Sequence, residues 1–314
     1  MNFILCDEKL DYPTTSPMLR IAAGEANKSI ETAQLIWQFL LSHHATRQDT
    51  LVCVGGGSLL DLGGFVASTY KRGMRCTYVP TTLLAMADAS IGGKTAINFQ
   101  GTKNSIGTFS LPNDTLIDLH WLDTLPYKDF LCGMAEVLKM GLLTNEENVY
   151  AALRCIEDGK IALDLLTRIR EYKTTVCEYD PLDKNERQYL NLGHTIGHAL
   201  EALSIYKSTS TNSLISHGFA VLYGLVAALY LSVVYLGLNK KYLQTLSHFM
   251  VEYYGRPAMS CRDYEQLLQL MLQDKKNTEE GYVRFTLLTD IGRPTMQQMS
   301  KEKIKEALEY LFSV

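Results

Sequence analysis

The sequence predicts an α/β domain over residues 1–120 followed by an α-helical domain over residues 121–314. Two observations predict this arrangement. Up to about Leu119, short apolar runs alternate with segments of helical periodicity, which is typical of a mostly parallel sheet covered by helices. From Tyr127 onward, long amphipathic or apolar helical segments dominate.

The elements of the first part follow one another in a regular order. Apolar runs predict strands, and apolar residues three and four positions apart predict helices. The last predicted strand is stopped by Pro80. The strands are expected at 3–8, 18–24, 51–57 and 76–82, and the helices at 28–42 and 58–70.

Two segments of the second part depart from the helical pattern. Residues 207–216 are polar, and residues 283–289 resemble a strand. The final helix is clear, because Ile304, Leu308 and Leu311 fall on one face, with Ser300 as a plausible cap.

A glycine turn marks a candidate nucleotide site. Gly55, Gly56, Gly57 and Ser58 follow a predicted strand and open a predicted helix. The lack of side chains allows a diphosphate to approach the backbone, and the N–H groups of a helix N-terminus favour an anion. The G-x-G-x-x-G fingerprint is absent, so a simple tight turn explains the pattern equally well.

Further features accompany the glycine turn. The paired Gly63 and Gly64 indicate close packing, and Asp61 lies beside them. Thr81 and Thr82 place two hydroxyl groups after a strand end, where ligands of such sheets bind. Together these residues favour a Rossmann-like nucleotide-binding domain.

The segment 186–201 carries the most informative polar pattern. On one continuous helix, Arg187, Asn191, His194 and His198 would form a single stripe across an otherwise apolar surface. Buried polar groups need partners, so the stripe is expected to face a ligand or a metal. The two histidines could share a metal, divide metal binding and proton transfer between them, or be hydrogen-bonded core residues.

A carboxylate and a third histidine could complete a metal site. Glu136 lies in GMAEVLKMG and His217 in SHGFAV. Nitrogen ligands, one carboxylate and open positions suit a catalytic Zn²⁺ or Co²⁺. Because Glu136 and Lys139 are three residues apart, a surface ion pair explains that motif equally well when it is taken alone.

Several cations occur in segments with little other charge. They would repel one another in one cleft unless an anion filled it, so they suit a substrate with phosphate and carboxylate groups. The set comprises Lys94, Lys103 with its neighbour Asn104, Lys139, Lys173 and Arg187.

Composition and the lack of targeting signals argue against several classes of protein. The net charge of −4 and the absence of a basic patch argue against nucleic-acid binding. Seven cysteines without a C-x-x-C pair suggest reduced thiols in a cytoplasmic protein, and no signal peptide is recognisable. Residues 219–238 have the length of a membrane span, but a buried helix is the favoured interpretation, and we expect no membrane association.

These motifs together resemble the 3-dehydroquinate synthase family of sugar phosphate cyclases, from about Gly24 to Arg293. The agreement includes the Lys173-to-Asn191 spacing. The matching segments are GEANKSIET, GGGSLLDLGGFVAS, YKRGM, VPTTLLAMADASIGGKTAIN, GTKNSIGTFSLP, CGMAEVLKMG, LNLGHTIGHALE, SHGFAV and DKKN.

The resemblance implies roles for individual residues. The implied metal ligands are Glu136, His194 and His217, with His198 as the acid–base partner. The implied substrate and catalytic positions are Asp88, Lys94, Asn104, Lys139, Lys173, Arg187, Asn191 and either Lys275 or Lys276. Arg72 matches an arginine that reaches the phosphate site of a neighbouring subunit, so a homodimer is expected. The implied NAD positions are Glu25, Lys28, Gly56, Gly57, Asp61, Thr81, Thr82 and Lys103, with Asp88 and Lys94 nearby.

The resemblance also implies a reaction that uses NAD and a divalent metal. A ring alcohol of 3-deoxy-D-arabino-heptulosonate 7-phosphate is transiently oxidised, phosphate is eliminated, and the carbonyl is reduced again. Ring opening and an intramolecular aldol step then give 3-dehydroquinate. We expect Lys139, Asn191 and His198 to relay protons and stabilise charge.

Departures from the family pattern leave alternatives open. Phe219 replaces a usual glutamate, and the region before Gly24 is shorter than usual. Another sugar phosphate cyclase, a metal-dependent polyol dehydrogenase and a non-catalytic binding protein are the alternatives. Smaller departures occur at Met86, Ala89, Asp183 and Asn185.

Overall fold

A computed structural model describes residues 1–207, 214–273 and 281–314. The chain forms two compact units. Unit 1 comprises Met1–Gly133 and Lys173–Leu182, and unit 2 comprises Met134–Tyr172 and Asp183–Val314. The expected domain boundary after residue 120 stays a prediction.

Unit 1 is built on a parallel sheet and one hairpin. Its strands are β1 (Asn2–Asp7), β2 (Met18–Ile21), β3 (Thr50–Gly55), β4 (Arg75–Pro80), β5 (Lys94–Phe99), β6 (Thr102–Phe109) and β7 (Asp114–Thr115). Five strands form the sheet in the order β2-β1-β3-β4-β7, and every neighbouring pair is parallel. Strands β5 and β6 pair antiparallel as a separate hairpin, which the sequence interpretation missed.

Alternating side chains give the sheet a core on each face. Phe3, Leu5 and Cys53 belong to the larger core, which packs against the helices α1 (Ile30–Ser42) and α2 (Gly57–Thr69). Their neighbours along the same strands, such as Ile4 and Val52, form a smaller core on the opposite face. This alternation explains why the predicted strands are continuous apolar runs, because both faces are covered.

Helix α2 lies very close to the sheet. A Cβ atom on Gly63 would stand 2.3 Å from Sγ of Cys53, and one on Gly64 would stand 2.1 Å from the hydroxyl of Tyr78. Glycine is therefore required at both positions, as expected from their pairing. The close packing fixes the start of α2 relative to the ends of β3 and β4.

The second part of the chain is mainly helical. Its helices are α3 (Tyr127–Thr144), α4 (Glu146–Asp158), α5 (Leu163–Tyr179), α6 (His194–Lys207), α7 (His217–Leu236), α8 (Lys240–Phe249), α9 (Tyr264–Leu272) and α10 (Lys301–Ser313). Strands β8 (Tyr282–Asp290) and β9 (Arg293–Ser300) form an antiparallel hairpin in unit 2. The strand expected at 283–289 is confirmed, whereas β9 was not foreseen.

Helix α7 accounts for the long apolar segment. By length and composition it could cross a membrane, but 67% of its most apolar window is buried inside the structure. Gly237 ends it in the left-handed conformation with φ +77°. Such burial is what a core helix shows, and a single apolar helix is weak evidence for a membrane span.

The main features of the predicted architecture are confirmed. The parallel sheet, both helices of the first part and the last helix occur where the periodicity placed them, and Ser300 occupies the N-cap position of α10. Six of the seven cysteines are buried, and all seven, which lie in the described residues, are outside any disulfide bond. Most of the polar stretch 207–216 lies outside the described residues.

Candidate active site

Helix α3 buries a charged pair. Glu136 is fully buried and Lys139 is 2% exposed, and the ammonium group contacts the carboxylate. The alternative of a surface ion pair is therefore wrong, because this turn of α3 lies inside the protein rather than at its surface. Both carboxylate oxygens of Glu136 are buried, and in the described part of the chain neither accepts a well-aligned hydrogen bond.

The single polar stripe expected over 186–201 is wrong. Residues Glu186–Asn191 form a 3₁₀ helix, and α6 begins only at His194. The break falls at Gly193, whose φ is +79°. A Cβ atom on Gly224 of α7 would lie 1.8 Å from the carbonyl oxygen of Gly193, so α7 passes against the break.

Three imidazole rings come together on α6 and α7. The ring centroid of His194 lies 5.1 Å from that of His198 and 5.6 Å from that of His217. The centroids of His198 and His217 are 6.0 Å apart. His194 and His198 keep their predicted i, i+4 relation because both belong to α6 itself.

Two of these rings share the carboxylate of Glu136. Nε2 of His194 and Nε2 of His217 each lie 3.4 Å from Oε1 of Glu136. Donor atoms of Glu136, His194 and His217 all lie within 4.8 Å of one another. Ligand atoms bound at about 2.0–2.1 Å to a tetrahedral ion are about 3.3–3.4 Å apart, so this spacing fits a divalent ion.

The chemistry of the donor set also fits such an ion. Two imidazole nitrogens and one carboxylate with open positions are a donor set typical of catalytic Zn²⁺. A buried carboxylate that lacks well-aligned hydrogen bonds gains a partner when an ion binds. Within the residues that the structure describes, these three are the group that could hold a metal.

Burial and neighbouring charges shift the pKa values of all three residues of this cluster. Burial favours the protonated form of Glu136, but Lys139 and His194 outweigh it and hold its pKa well below the usual range. Burial and the nearby Lys139 ammonium lower the pKa of His194. Burial acts in the same direction on His217, but contacts with Glu136 and Glu201 prevail and raise its pKa to about 10. An incoming metal would therefore displace a proton from His217.

Sequence reasoning missed Glu201 as a member of this cluster. One of its carboxylate oxygens lies 3.3 Å from Nδ1 of His217. Glu201 follows His194 by seven residues, which places both on the same face of α6. This seven-residue spacing could have predicted from the sequence that Glu201 lies near the histidines.

In unit 1 the glycine turn has the predicted geometry. Strand β3 ends at Gly55, Gly56 is the N-cap of α2, and no side chain caps this helix start. The backbone N–H groups at the start of α2 are the natural partners of an anionic group. Thr81 and Thr82 follow the adjacent strand β4, and the amide of Thr81 donates to the carbonyl of Gly55.

The cradle at this turn is shaped by close neighbours. A Cβ on Gly56 would lie 3.3 Å from Cγ2 of Thr82, and one on Gly57 would lie 3.0 Å from Cβ of Ala89. Larger residues would fill this space, so glycine at both positions leaves the backbone open to the close approach of a dinucleotide diphosphate. The residues present therefore fit NAD at the carboxyl end of the sheet.

A second group of predicted NAD residues is linked by hydrogen bonds. The buried Lys28 donates to Oδ2 of Asp61 and to Oδ1 of Asn104, both at 2.5 Å. The side chain of Asn98 donates to Oε1 of Glu25 at 2.8 Å. Burial raises the pKa of Asp61 and Lys28 opposes that effect. Asn104, expected at the substrate, thus adjoins residues expected at NAD.

Asp88 and Lys173, which were each expected at the substrate site, form an ion pair inside unit 1. Nζ of Lys173 lies 2.7 Å from Oδ1 of Asp88 and donates to its backbone carbonyl at 2.6 Å. Asp88 belongs to a short π-helix at Ala85–Ala89, a feature often found at functional sites. Lys173 is largely buried, so the contact removes an isolated buried charge.

The remaining predicted residues lie in different settings. Arg187 is buried and Asn191 is half-buried, and the amide group of Asn191 donates to the carbonyl of Gln188 at 2.9 Å. Lys276, like Lys275, lies outside the described residues. The exposed members of the set are Arg72, Lys94, Lys103 and His198.

Family comparison agrees with the motifs. The model of the 3-dehydroquinate synthase N-terminal family matches residues 18–132, and that of the C-terminal family matches residues 133–277. The chain belongs to the 3-dehydroquinate synthase family. A 3-dehydroquinate synthase from Parabacteroides distasonis is 40% identical over 300 residues, which cover 94% of this chain and 83% of that protein. The resemblance found in the sequence is thereby confirmed.

Solved structures share the fold of this family member. A 2-epi-5-epi-valiolone synthase from Streptomyces hygroscopicus, solved with NAD⁺ and Zn²⁺, has a TM-score of 0.83 and 23% identity, covering 99% of this chain and 90% of that one. A 2-deoxy-scyllo-inosose synthase, solved with carbaglucose-6-phosphate, NAD⁺ and Co²⁺, has a TM-score of 0.81 and 23% identity, covering 98% and 90%. At this identity the comparison establishes the fold alone.

Proposed function

We propose that this enzyme is a 3-dehydroquinate synthase, a carbon–oxygen lyase that converts 3-deoxy-D-arabino-heptulosonate 7-phosphate into 3-dehydroquinate and phosphate. Membership of the family over nearly the whole chain carries the proposal. The Glu136, His194 and His217 cluster supports it, since it provides the donor set that the reaction needs. The product belongs to the shikimate route to aromatic amino acids.

NAD and a divalent ion, Zn²⁺ or Co²⁺, are the proposed cofactors. When bound, they supply a reversible hydride acceptor and a Lewis acid for the hydroxyl and carbonyl oxygens of the substrate. Glu136, His194 and His217 would hold the ion. The backbone at Gly56 and Gly57, together with the hydroxyl-bearing Thr81 and Thr82, would hold the NAD diphosphate. The proposed positions nearby are Glu25, Lys28, Asp61, Asp88, Lys94 and Lys103.

Cationic side chains would bind the two anionic ends of the substrate. Arg187 can present a fork of N–H donors to a carboxylate, and Lys173 is a compact charge suited to a phosphate or a hydroxyl oxygen. Asn104, Lys94 and Lys276 are further proposed substrate contacts, and Arg72 is proposed to serve a neighbouring subunit. These groups would raise the affinity for a substrate with two anionic groups over that for neutral sugars.

Three residues are proposed to manage protons and developing charge. Lys139 carries its ammonium group at the buried carboxylate of Glu136, where it can stabilise an oxyanion. The exposed imidazole of His198 adjoins His194 and can exchange a proton with solvent. The amide of Asn191 can orient a substrate hydroxyl group.

The setting of the enzyme is also a proposal. We place it in the cytoplasm because its cysteines, all within the described residues, form no disulfide bond. We propose a homodimer because Arg72, the residue expected to reach a neighbouring subunit, is exposed. Its partner is the small sugar phosphate, and neither nucleic acid nor a membrane is expected to bind.

The deciding experiment follows phosphate release and NADH absorbance together on the seven-carbon substrate. We expect phosphate release with only catalytic NAD and no accumulation of NADH. A chelator and His194→Ala should each lower the rate at least about 100-fold, because the metal contribution is lost. Glu306→Gln, a change far along the chain on α10, is the control and should retain full activity.

Two outcomes would contradict the proposal. Steady NADH accumulation with a polyol and no phosphate release would instead indicate a dehydrogenase. Turnover that is unaffected by the chelator would exclude the metal from the reaction.

A further inference from the structure

Each of the two candidate metal ligands His194 and His217 has an oxygen atom beside the ring nitrogen that points away from Glu136. In both rings Nε2 faces Glu136, so Nδ1 is the outer nitrogen. Nδ1 of His194 lies 3.2 Å from the carbonyl oxygen of Leu192. Nδ1 of His217 lies 3.3 Å from a carboxylate oxygen of Glu201. Both rings thus face Glu136 with Nε2, but the groups beside Nδ1 differ, one neutral and one charged.

The backbone around Glu201 is hydrogen-bonded to the segment that precedes His217. Its side chain is 17% exposed and belongs to α6, whereas His217 begins α7. Ser204 donates to the carbonyl of Glu201 at 2.7 Å and accepts from the amide of Ile215 at 3.1 Å. These bonds join α6 to the residues that precede His217, so the carboxylate and the ring approach each other from fixed backbone positions.

The residue two positions after His217 cannot provide the same support. Phe219 lies in the first turn of α7. Its ring packs against Tyr254 with centroids 4.9 Å apart, and it has no polar atom to offer. The carboxylate beside His217 therefore comes from α6.

We propose that Glu201 is a positioning residue that accepts a hydrogen bond from Nδ1 of His217 and so holds Nε2 toward the metal. This inference rests on the metal site of the proposed function. The hydrogen bond fixes the Nδ1-protonated tautomer and the ring orientation, and the carboxylate makes the imidazole a stronger donor. The support of His194 is a backbone carbonyl that no side-chain substitution removes, so Glu201 is where this chain can tune the site.

The test measures Co²⁺ binding in the full-length protein without substrate. Co²⁺ is titrated against a competing chelator, and its visible absorption reports the ligand geometry. Glu201→Ala should weaken Co²⁺ affinity about 10–100-fold and alter the absorption band. Glu201→Gln should lose less, because its amide oxygen can still accept the hydrogen bond without supplying charge. Glu306→Gln is the same isosteric change at a carboxylate that accepts a hydrogen bond from the hydroxyl of Tyr235. This control should match the wild type in both measurements.

The outcomes separate this inference from the proposed function. If the wild type binds Co²⁺ and Glu201→Ala binds it within twofold with the same spectrum, Glu201 has no positioning role and the proposed function stands. If the wild type does not bind Co²⁺, the metal site and the role of Glu201 are both overturned. A variant that is less stable without metal but unchanged in Co²⁺ affinity shows a merely structural role and also overturns the inference. Should Glu201→Ala fail to fold, Glu201→Leu, which keeps a similar size but offers no hydrogen-bond acceptor, decides by the same criteria.

Discussion

The buried pair of Glu136 and Lys139 sets the electrostatic character of the candidate metal site. Removing two charges from water costs several kcal/mol per ion, and their attraction offsets this only when the contact is close. Lys139 keeps Glu136 ionised, which a metal ligand requires. The same ammonium group repels an incoming cation, so its presence lowers metal affinity. This loss of metal affinity is consistent with the proposed role of Lys139 in stabilising charge on the substrate rather than in binding the metal.

Substitution of Lys139 should therefore separate stability from metal affinity. Lys139→Met leaves the Glu136 carboxylate buried without its cation, so we expect the metal-free protein to lose about 3 kcal/mol of unfolding free energy. Co²⁺ should bind about tenfold more tightly, because the repulsion between like charges is gone. Urea unfolding in a chelator and Co²⁺ titration measure the two effects. Lys240→Met, at an exposed position, is the control, and weaker Co²⁺ binding by Lys139→Met would contradict this account.

At the scale of elements, the break before α6 places the histidines. Gly193 turns the chain with a positive φ, so the 3₁₀ helix and α6 do not form one continuous helix. Gly224 allows the backbone of α7 to pass directly against this turn. The close approach brings His217 of α7 beside His194 of α6, which neither helix could achieve alone.

Gly224→Ala tests this approach, because helix propensity and packing predict opposite effects. Alanine should stabilise α7 by about 1 kcal/mol through propensity. Its Cβ would lie 1.8 Å from the carbonyl oxygen of Gly193, so overpacking should prevail and destabilise the protein by about 3 kcal/mol. Urea unfolding gives the sign. Gly237→Ala, which adds strain at φ +77° but meets no atom within 4 Å, should cost only about 1–2 kcal/mol. A stabilised Gly224→Ala variant would show that the helices separate easily.

At the scale of the whole molecule, the two candidate cofactor sites belong to different compact units. The glycine turn and its neighbours lie in unit 1, and the Glu136, His194 and His217 cluster lies in unit 2. Each unit has a buried apolar core of its own, from the sheet faces in unit 1 and from helices such as α7 in unit 2. Either ligand should therefore stabilise its own unit when added alone.

Hydrogen exchange measured by mass spectrometry can locate these effects. Co²⁺ at about 100 times its Kd should protect α3, α6 and the start of α7 by up to about 2.7 kcal/mol. NAD should protect the segments after β3 and β4. His194→Ala should abolish the protection by Co²⁺ and leave that by NAD intact. Protection by Co²⁺ confined to unit 1 would contradict the assignment of the metal site.

Local chemistry made much of this arrangement predictable. The strands of the parallel sheet are covered on both faces, so they stand out as apolar runs such as that around Cys53. Glu136 was ambiguous, because a spacing of three residues to Lys139 is the same in a buried pair and in a surface pair. The break at Gly193 was not foreseen, since a helix tolerates an isolated glycine and only contact with Gly224 reveals its conformation. The β5–β6 hairpin was missed because its second strand is almost wholly exposed and lacks an apolar pattern.

By itself, the sequence determined the alternation of strands and helices up to Pro80, the family and the set of side chains able to bind a metal. Periodicity and motif chemistry are local properties, and they are readable without knowing which segments meet. Only the tertiary structure decided that Glu136 is buried, that the two Nε2 atoms face one carboxylate oxygen, and that Glu201 supports His217. These facts depend on the packing of α3 against α6 and α7, which lie much further along the chain, and distances across such packing are set by the whole core rather than by any one segment.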